Sequence, residues 1–416
     1  MSPALITVLN PEQRDIYDSV RAFAADRGFD VYLIGGAVRD WLMGHPIGDL
    51  DFTVAQDAID FAHSLAQALG GHVTSHERFR TATWSYAGHA TDITTSRRET
   101  YPRPASLPVI TPAPIERDFA RRDFSINAMG LRLSDGVLFD LYDGQTDLSL
   151  KVIRALHDGS FIDDPTRILR AARYAARFGF TIEPATRQWL DAGLTYLKDL
   201  SGERVKYDIE RTFDIAQPED ALNLLREWGA FNALGIVIPD KDLLVARFDA
   251  IRSRLRDWDD SPTALPSRDN VLMACWGALV YNLGQLSASR WLEWIPFTAG
   301  VREALVSLGV LSTLSAVQFT GKPSRQSELL QEFSEAALMV VWLFDSNSAK
   351  RAAAWHEWHS WRPVQPFTSG NDLRARAVAP GPIYRTLLTK LRAARLDGEV
   401  NTAAEERTLL EKLLAD

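Results

Sequence analysis

The chain has 416 residues, 46 % of them hydrophobic and 24 % charged, with a formal net charge of −8. That length exceeds one ordinary core and predicts two to four domains, and the composition excludes a disordered or fibrous class. The lone cysteine, Cys275, excludes an internal disulfide framework and fits a reducing, cytoplasmic setting, while no signal pattern or membrane-spanning apolar run is present; the net acidity argues against indiscriminate nucleic-acid binding and leaves room for a local basic face.

In chain order, Pro11–Arg27 has the pattern of an amphipathic helix that leads into the apolar run Val31–Ile34. That run breaks at Gly35-Gly36, the signature of a strand ending in a tight turn where bare backbone can approach a ligand. Ala37–Met43 then reads as a short helix with Arg39 facing the turn. A glycine turn, a helix N-terminus and an arginine together favour phosphate. Asp49-Leu50-Asp51-Phe52 follows. In a strand, Asp49 and Asp51 fall on one face, and carboxylates that close suit a divalent cation, most often Mg²⁺ with substrate phosphates. A surface turn before a solvated acidic strand is the plain alternative; with the glycines and Arg39 at this spacing, nucleotidyl transfer is the better reading.

Ala58–Leu69 is predicted to be a helix ended by Gly70-Gly71, and His72–Ser75, Thr81–Tyr86 and Ala90–Thr95 alternate as strands of one sheet. Asp92, in the last of these, can bring a third carboxylate to the Asp49/Asp51 edge. Thr95–Ala120 is rich in proline and lacks clear periodicity, which predicts an ordered but mobile loop, a lid between two catalytic segments. Arg121-Arg122-Asp123-Phe124-Ser125-Ile126-Asn127-Ala128 comes next, offering in Arg122 a phosphate-pairing cation and in Asp123 and Asn127 two groups able to bond a ribose hydroxyl. Gly130–Leu141 reads as a hairpin around Ser134-Asp135-Gly136.

After Ser149 helical periodicity dominates. Phe161-Ile162-Asp163-Asp164-Pro165-Thr166-Arg167 opens a helix that continues to Phe178 and presents Arg167, Arg170, Arg173 and Arg177 at helical spacing. Pro218–Leu234 and Lys241–Trp258 read as further amphipathic helices, with 259–270 as a linker-like loop. Trp355, Trp358 and Trp361, recurring beside His356 and His359, read as core packing rather than a metal site. A basic face of Arg385, Lys390, Arg392 and Arg395 is expected on the helix that starts near Ile383.

Gly-Gly-x-x-Arg-Asp followed by Asp-x-Asp, the Arg-Arg-Asp-x-x-x-Asn-Ala segment, and an acid-Asp-x-x-Arg motif at Asp163–Arg167 together resemble the class II tRNA nucleotidyltransferase (CCA-adding enzyme) and bacterial poly(A) polymerase family. Asp163 stands where that family usually has Glu. The resemblance runs through the whole chain, strongest over residues 31–180. It implies an α+β fold: a small mixed α/β nucleotidyltransferase head (1–143), then an all-helical neck (144–205), body (206–300) and tail (301–416). It further implies catalytic acids at Asp49, Asp51 and Asp92, with Mg²⁺ on Asp49 and Asp51. Nucleotide would be held by Gly35, Gly36, Arg39, Arg122, Asp123, Asn127, Asp164, Arg167, Arg170 and Arg173. Asp164 and Arg167 would bond the Watson–Crick edge of CTP or ATP, and Glu203, Arg204 and Glu210 would brace the neck. The implied partner is the 3′ end of tRNA, extended by a full CCA. An A-only or CC-only specialist and a poly(A) polymerase are the rivals. The uninterrupted 96–120 segment speaks against CC-only addition, and Ser75-His76-Glu77-Arg78-Phe79 with a mildly acidic C-terminus speaks against poly(A) synthesis. An inactive RNA-binding protein on the same scaffold would need neither Asp49/Asp51 nor Asp164/Arg167.

Overall fold

The computed structural model describes residues 3–258, 266–283 and 285–415, so 259–265 of the predicted linker lie outside the described residues. The chain divides into two compact units, Met1–Leu234 and Gly235–Asp416.

The first unit begins with α1 (Pro3–Val8) and α2 (Pro11–Arg27), the latter opened by a reciprocal Asn10/Gln13 capping box and closed by left-handed Gly28. Strand β1 (Val31–Ile34) leads through the glycine turn into α3 (Gly36–Leu42), and β2 (Asp51–Val54) into α4 (Ala58–Leu69). Strands β3 (His72–His76), β4 (Thr81–Tyr86) and β5 (His89–Thr95) complete one side of the sheet. Beyond it stands a separate ribbon, β6 (Arg97–Thr100) against β7 (Val109–Pro112), then α5 (Ile115–Ala120). Strands β8 (Met129–Arg132) and β9 (Leu138–Asp140) return to the other edge. The sheet order is β3-β4-β5-β2-β1-β8-β9, with β2 and β5 parallel and its other pairs antiparallel.

All four residues of β1 are buried because both sheet faces are covered. Val31 and Leu33 point into the core shared with Ile16, Val20, Phe61 and Trp84 of α2, α4 and β4, whereas Tyr32 and Ile34 pack on Ile115 and Phe119 of α5. The predicted mobile loop is therefore largely regular. Its prolines punctuate the structure: Pro112 ends β7 and Pro114 precedes α5, places where no amide hydrogen is needed for a ladder.

Helices then follow: α6 (Gly144–Leu150), α7 (Ser160–Asp163), α8 (Thr166–Phe178), α9 (Pro184–Gly193), α10 (Gly202–Phe213), α11 (Pro218–Glu227) and α12 (Ala230–Ala233). Among the described residues after Ser149, strand pairing is confined to the two-residue parallel pair β10 (Val152–Ile153) and β11 (Thr181–Ile182), which flanks α8. α8 buries Ile168, Leu169, Ala171, Ala172 and Ala175 on one side, leaving its arginines for the other.

The second unit is helical: α13 (Lys241–Trp258), α14 (Arg268–Val280), α15 (Gln285–Trp294), α16 (Ala299–Thr313), α17 (Pro323–Leu330), α18 (Glu335–Phe344), α19 (Ser348–His356), α20 (Gly370–Ala375), α21 (Pro382–Leu396) and α22 (Ala403–Ala415). Trp258 sits among the rings of Trp342, Trp355, Trp358 and His359, so the tryptophan–histidine pattern is packing. Cys275 is buried in α14. The expected basic face on α21 is only partly free. Arg392 donates to the carbonyls of Val364 and Trp361, and Arg395 lies over Phe367 while reaching the Gln365 carbonyl, so each guanidinium is drawn to carbonyls of the chain turn before α20. Arg385 and Lys390 remain exposed. Among the described residues no helix is long and apolar enough to cross a membrane.

Candidate active site

One cavity of about 770 Å³ in the first unit is lined by the glycine turn, by Asp49 and Asp51, by the 121–127 segment, and by Asp164, Arg167, Arg170 and Arg173. Residues nearly 140 positions apart in sequence thus share one compartment.

At the turn, Gly35 has φ +62°, and a Cβ there would lie 2.7 Å from Arg122 Nη1. The positive φ requires glycine, and a side chain there would also have to displace the Arg122 guanidinium. Arg39 is only 3 % exposed and its donors are committed. It pairs with Asp40 at 2.8 Å, donates from Nη1 to Asn127 Oδ1 at 2.6 Å, and lies over the rings of Tyr174 and Phe178. It braces the turn from behind. Arg122 pairs with Asp118 at 3.0 Å, and Asp118 also holds Arg121, which bridges to Glu99.

Strand β2 starts at Asp51, so Asp49 lies in the segment just before the strand rather than on it; both line the cavity. Asp92 is not among the lining residues, yet it is the register partner of Asp51 on parallel β5, and residues in register on neighbouring strands point to the same face. Thr83, opposite Asp92 on β4, donates to its Oδ1 at 2.7 Å. Burial, then the like charges of Asp92 and Asp49, push the Asp51 carboxyl up to about 6, against the pull of Arg122 and Arg211. The edge thus carries more negative charge than the protein neutralises. Among the described residues no group of three or more His, Cys, Asp or Glu is arranged to cage an ion. Two hard carboxylate oxygens facing an open cavity are instead the donor set that suits Mg²⁺, which completes its shell with water and substrate phosphates. The residues fit such an ion, held by Asp49 and Asp51.

Asp123 anchors the opposite wall. Its carboxylate accepts from the Asn127 amide at 2.9 Å and from Arg170 Nε at 2.8 Å. Burial raises it, but Arg170 and the Asn127 hydrogen bond win and hold it near 2. Arg39, Asn127, Asp123 and Arg170 thus form one hydrogen-bonded chain from α3 to α8. Arg173 extends the bracing to α10 by pairing with Asp208 at 2.9 Å. Arg170→Ala should leave Asp123 buried without its cation and cost about 3 kcal/mol, read as a lowered Tm at neutral pH. The sign with pH follows from the depressed carboxyl: this stabilisation is present in full above the unfolded value of about 3.9 and is lost as pH falls through about 2. The wild-type advantage over Arg170→Ala should therefore shrink in acid; a gap that stays constant from neutral pH to pH 2 would count against the pair.

Asp164 lies between α7 and α8. Its Oδ1 accepts from the Thr166 amide at 3.0 Å, the Thr166 hydroxyl at 2.6 Å and Arg204 at 2.6 Å. Among the described residues Oδ2 has no hydrogen-bond donor, so the second oxygen of this cavity-lining carboxylate is available to a ligand. Arg167, 4 % exposed, is fixed by Ser160 Oγ and the Arg121 carbonyl, leaving an N–H on each terminal nitrogen and on Nε. Arg204 also donates to the Ala105 carbonyl at the tip of the β6–β7 ribbon, and so docks the ribbon on α10.

Several lining residues escape motif reading: Glu99 and Tyr101 from the ribbon, Tyr174 and Arg177 on α8, and Arg211 on α10. The α8 arginine spacing pointed to Arg177. Nothing in the sequence distinguishes Arg211 from an ordinary surface arginine.

Two family models match the chain: the poly A polymerase head domain over residues 31–154, and the probable RNA and SrmB-binding site of polymerase A over residues 179–235. An A-adding tRNA nucleotidyltransferase of Halalkalibacterium halodurans is 41 % identical over 219 residues, 51 % of this chain and 51 % of that protein. The chain therefore spans about half the length of that curated relative. A CC-adding tRNA nucleotidyltransferase of Deinococcus radiodurans is 31 % identical over 391 residues, covering 92 % of this chain and 90 % of the relative. The solved apo form II of a CCA-adding enzyme superposes with a TM-score of 0.81 at 25 % identity over 100 % of this chain and 98 % of that one. With the acidic edge, the glycine turn and the arginines of α8 in one cavity, the chain belongs to the tRNA nucleotidyltransferase and poly(A) polymerase family.

Proposed function

We propose that this protein completes the C-C-A end of tRNA without a template, using CTP and ATP and requiring Mg²⁺. The observation that carries the reading is the single cavity that joins Asp49 and Asp51 to the open oxygen of Asp164 and to Arg167. Cytosine and adenine both present an exocyclic amine, which Asp164 Oδ2 can accept, beside ring acceptors that Arg167 can serve. Uracil and guanine put a carbonyl against the carboxylate and leave buried groups unpaired. A reader made of side chains is what an enzyme without a template needs.

In the transfer, the primer's 3′-oxygen bonds to the α-phosphorus as the bond from that phosphorus to its bridging oxygen breaks, and the electron pair departs with pyrophosphate. Bound at Asp49 and Asp51, Mg²⁺ would supply activation of the 3′-hydroxyl and stabilisation of charge on the α-phosphate. Asp92, in register with Asp51 and hydrogen-bonded by Thr83, would receive the hydroxyl proton. The Gly35–Gly36 turn, braced by Arg39, lets the triphosphate approach the backbone, while Arg122, Asp123 and Asn127 form the wall for sugar and α-phosphate. The exposed Arg385 and Lys390 of the second unit suit contacts to the tRNA backbone. The reaction belongs in the cytoplasm, consistent with a single unpaired cysteine.

Addition of A alone is the second reading, favoured by the 41 % identity to an A-adding relative. The test is a primer-extension assay with tRNA lacking its last three nucleotides. Full CCA addition gives a product longer by three and ending in A when both triphosphates are present, and by two with CTP alone. No extension until a CC end is supplied would establish the A-only specialist instead. A stop at CC, or an open ladder of A, would replace both readings.

A further inference from the structure

The arginines expected to hold phosphates are mostly committed within the protein. Arg39 is bound to Asp40 and Asn127, Arg122 to Asp118, Arg170 to Asp123 and Arg173 to Asp208. An incoming triphosphate carries more charge than a metal on two carboxylates can balance, so the cavity needs cations that are not already neutralised. Three lining arginines meet that condition. Arg167, which bonds only the Ser160 hydroxyl and the Arg121 carbonyl, is assigned above to the base. Arg211 has no hydrogen-bond or ion-pair partner among the described residues, and it is one of the two cations acting on Asp51. Arg177 lies over the Phe178 ring, and its one carboxylate contact among the described residues is a loose 3.7 Å approach to Asp40, which Arg39 already holds at 2.8 Å.

The helix geometry brings these two together. α8 and α10 are tied near their starts by Asp164–Arg204 and further along by Arg173–Asp208. Because the ties follow in the same order on both, the helices run in the same direction. Arg177 lies four residues beyond Arg173, and Arg211 three beyond Asp208, so each continues its helix's facing side by one turn. At that level both line the cavity.

We propose that Arg177 and Arg211 form the cation pair that holds the β- and γ-phosphates of the incoming nucleotide and then the departing pyrophosphate. This assignment rests on the nucleotidyl-transfer reading above. Guanidinium forks match phosphate oxygens in pairs, and two of them opposite the acidic edge would hold the leaving group in line with the breaking bond. They contribute nothing to the base or sugar, so their effect should be confined to ligands that carry the outer phosphates.

That confinement defines the test. CTP and CMP binding are measured by calorimetry on the full chain with Ca²⁺ in place of Mg²⁺, and inorganic pyrophosphate is titrated as an inhibitor of transfer. Arg211→Ala should weaken CTP about tenfold and raise the pyrophosphate inhibition constant by a similar factor, with CMP affinity unchanged within about twofold. Arg211→Lys should recover most of the loss, and adding Arg177→Ala to Arg211→Ala should deepen it. Equal weakening of CTP and CMP, or unaltered pyrophosphate inhibition in both single alanine variants, would overturn the assignment. Wild-type protein that binds neither nucleotide would instead remove the functional reading beneath it.

Discussion

Asp51→Ala and Asp49→Ala are each expected to lower nucleotide transfer about a thousandfold while leaving tRNA affinity nearly intact. The size follows from what the acidic edge does. A divalent ion held on these oxygens, as proposed above, would supply several kcal/mol of transition-state charge stabilisation, and about 4 kcal/mol is roughly three orders of magnitude in rate. The structure predicts a difference between the two. Asp51 opens β2 beside Asp92 and feels its charge, whereas Asp49 is exposed in the segment before the strand. Asp51→Asn should therefore relieve like-charge repulsion and leave the fold as stable as wild type or slightly more so, although it abolishes transfer. Transfer rates and Tm on the same preparations check both statements. Near-normal turnover in either alanine variant would remove these residues from the metal site.

The second large effect concerns which nucleotide is accepted. Asp164→Ala and Arg167→Ala should each cost on the order of 100-fold in discrimination against UTP and GTP, as expected when a group that bonds the correct base edge is removed. The hydrogen bonds around Asp164 sharpen the prediction. Oδ1 is occupied by three donors, from the Thr166 amide, the Thr166 hydroxyl and Arg204. In Asp164→Asn the side-chain oxygen must take that place, because an amide NH₂ there would face donors only. The NH₂ is then forced into the Oδ2 position and presents a donor to the base. Uracil, with a carbonyl where cytosine has its amine, becomes the better match. Single-turnover incorporation of CTP and UTP should show the ratio moving toward UTP by more in Asp164→Asn than in Asp164→Ala. Equal ratios in the two variants would mean that the base is read by another surface.

The two effects share a construction. The chain from Arg39 through Asn127 and Asp123 to Arg170 crosses from α3 to α8, so the glycine turn and α8 are held by one buried polar network. Such networks are rigid when every member is satisfied. This explains why Arg167, Arg170 and Arg173 stand in a cavity wall instead of on a solvated face. Each of these three has a carboxylate or carbonyl partner contributed by another element.

The sequence by itself determined the elements whose information is local. The apolar run before Gly35-Gly36, the alternation of β3 to β5 and the capped helix Pro11–Arg27 depend on neighbours a few residues away, and these elements stand where the pattern put them. The motifs that fill the cavity were legible for the same reason, since Asp49 with Asp51, Arg122 to Asn127, and Asp164 with Arg167 are each short spans. The β6–β7 ribbon was not legible, because its pairing is set by prolines at the turns and strand ends and by α5 packing on the sheet, not by its own periodicity. Tertiary structure alone decided which arginines are free. The sequence singled out Arg39 and passed over Arg211, but the first meets Asp40 and Asn127, 88 positions away in the latter case, and the second lines the cavity with no hydrogen-bond or ion-pair partner among the described residues. A guanidinium's charge is fixed by its chemistry, but whether that charge is already neutralised depends on residues that only folding brings within 3 Å of it.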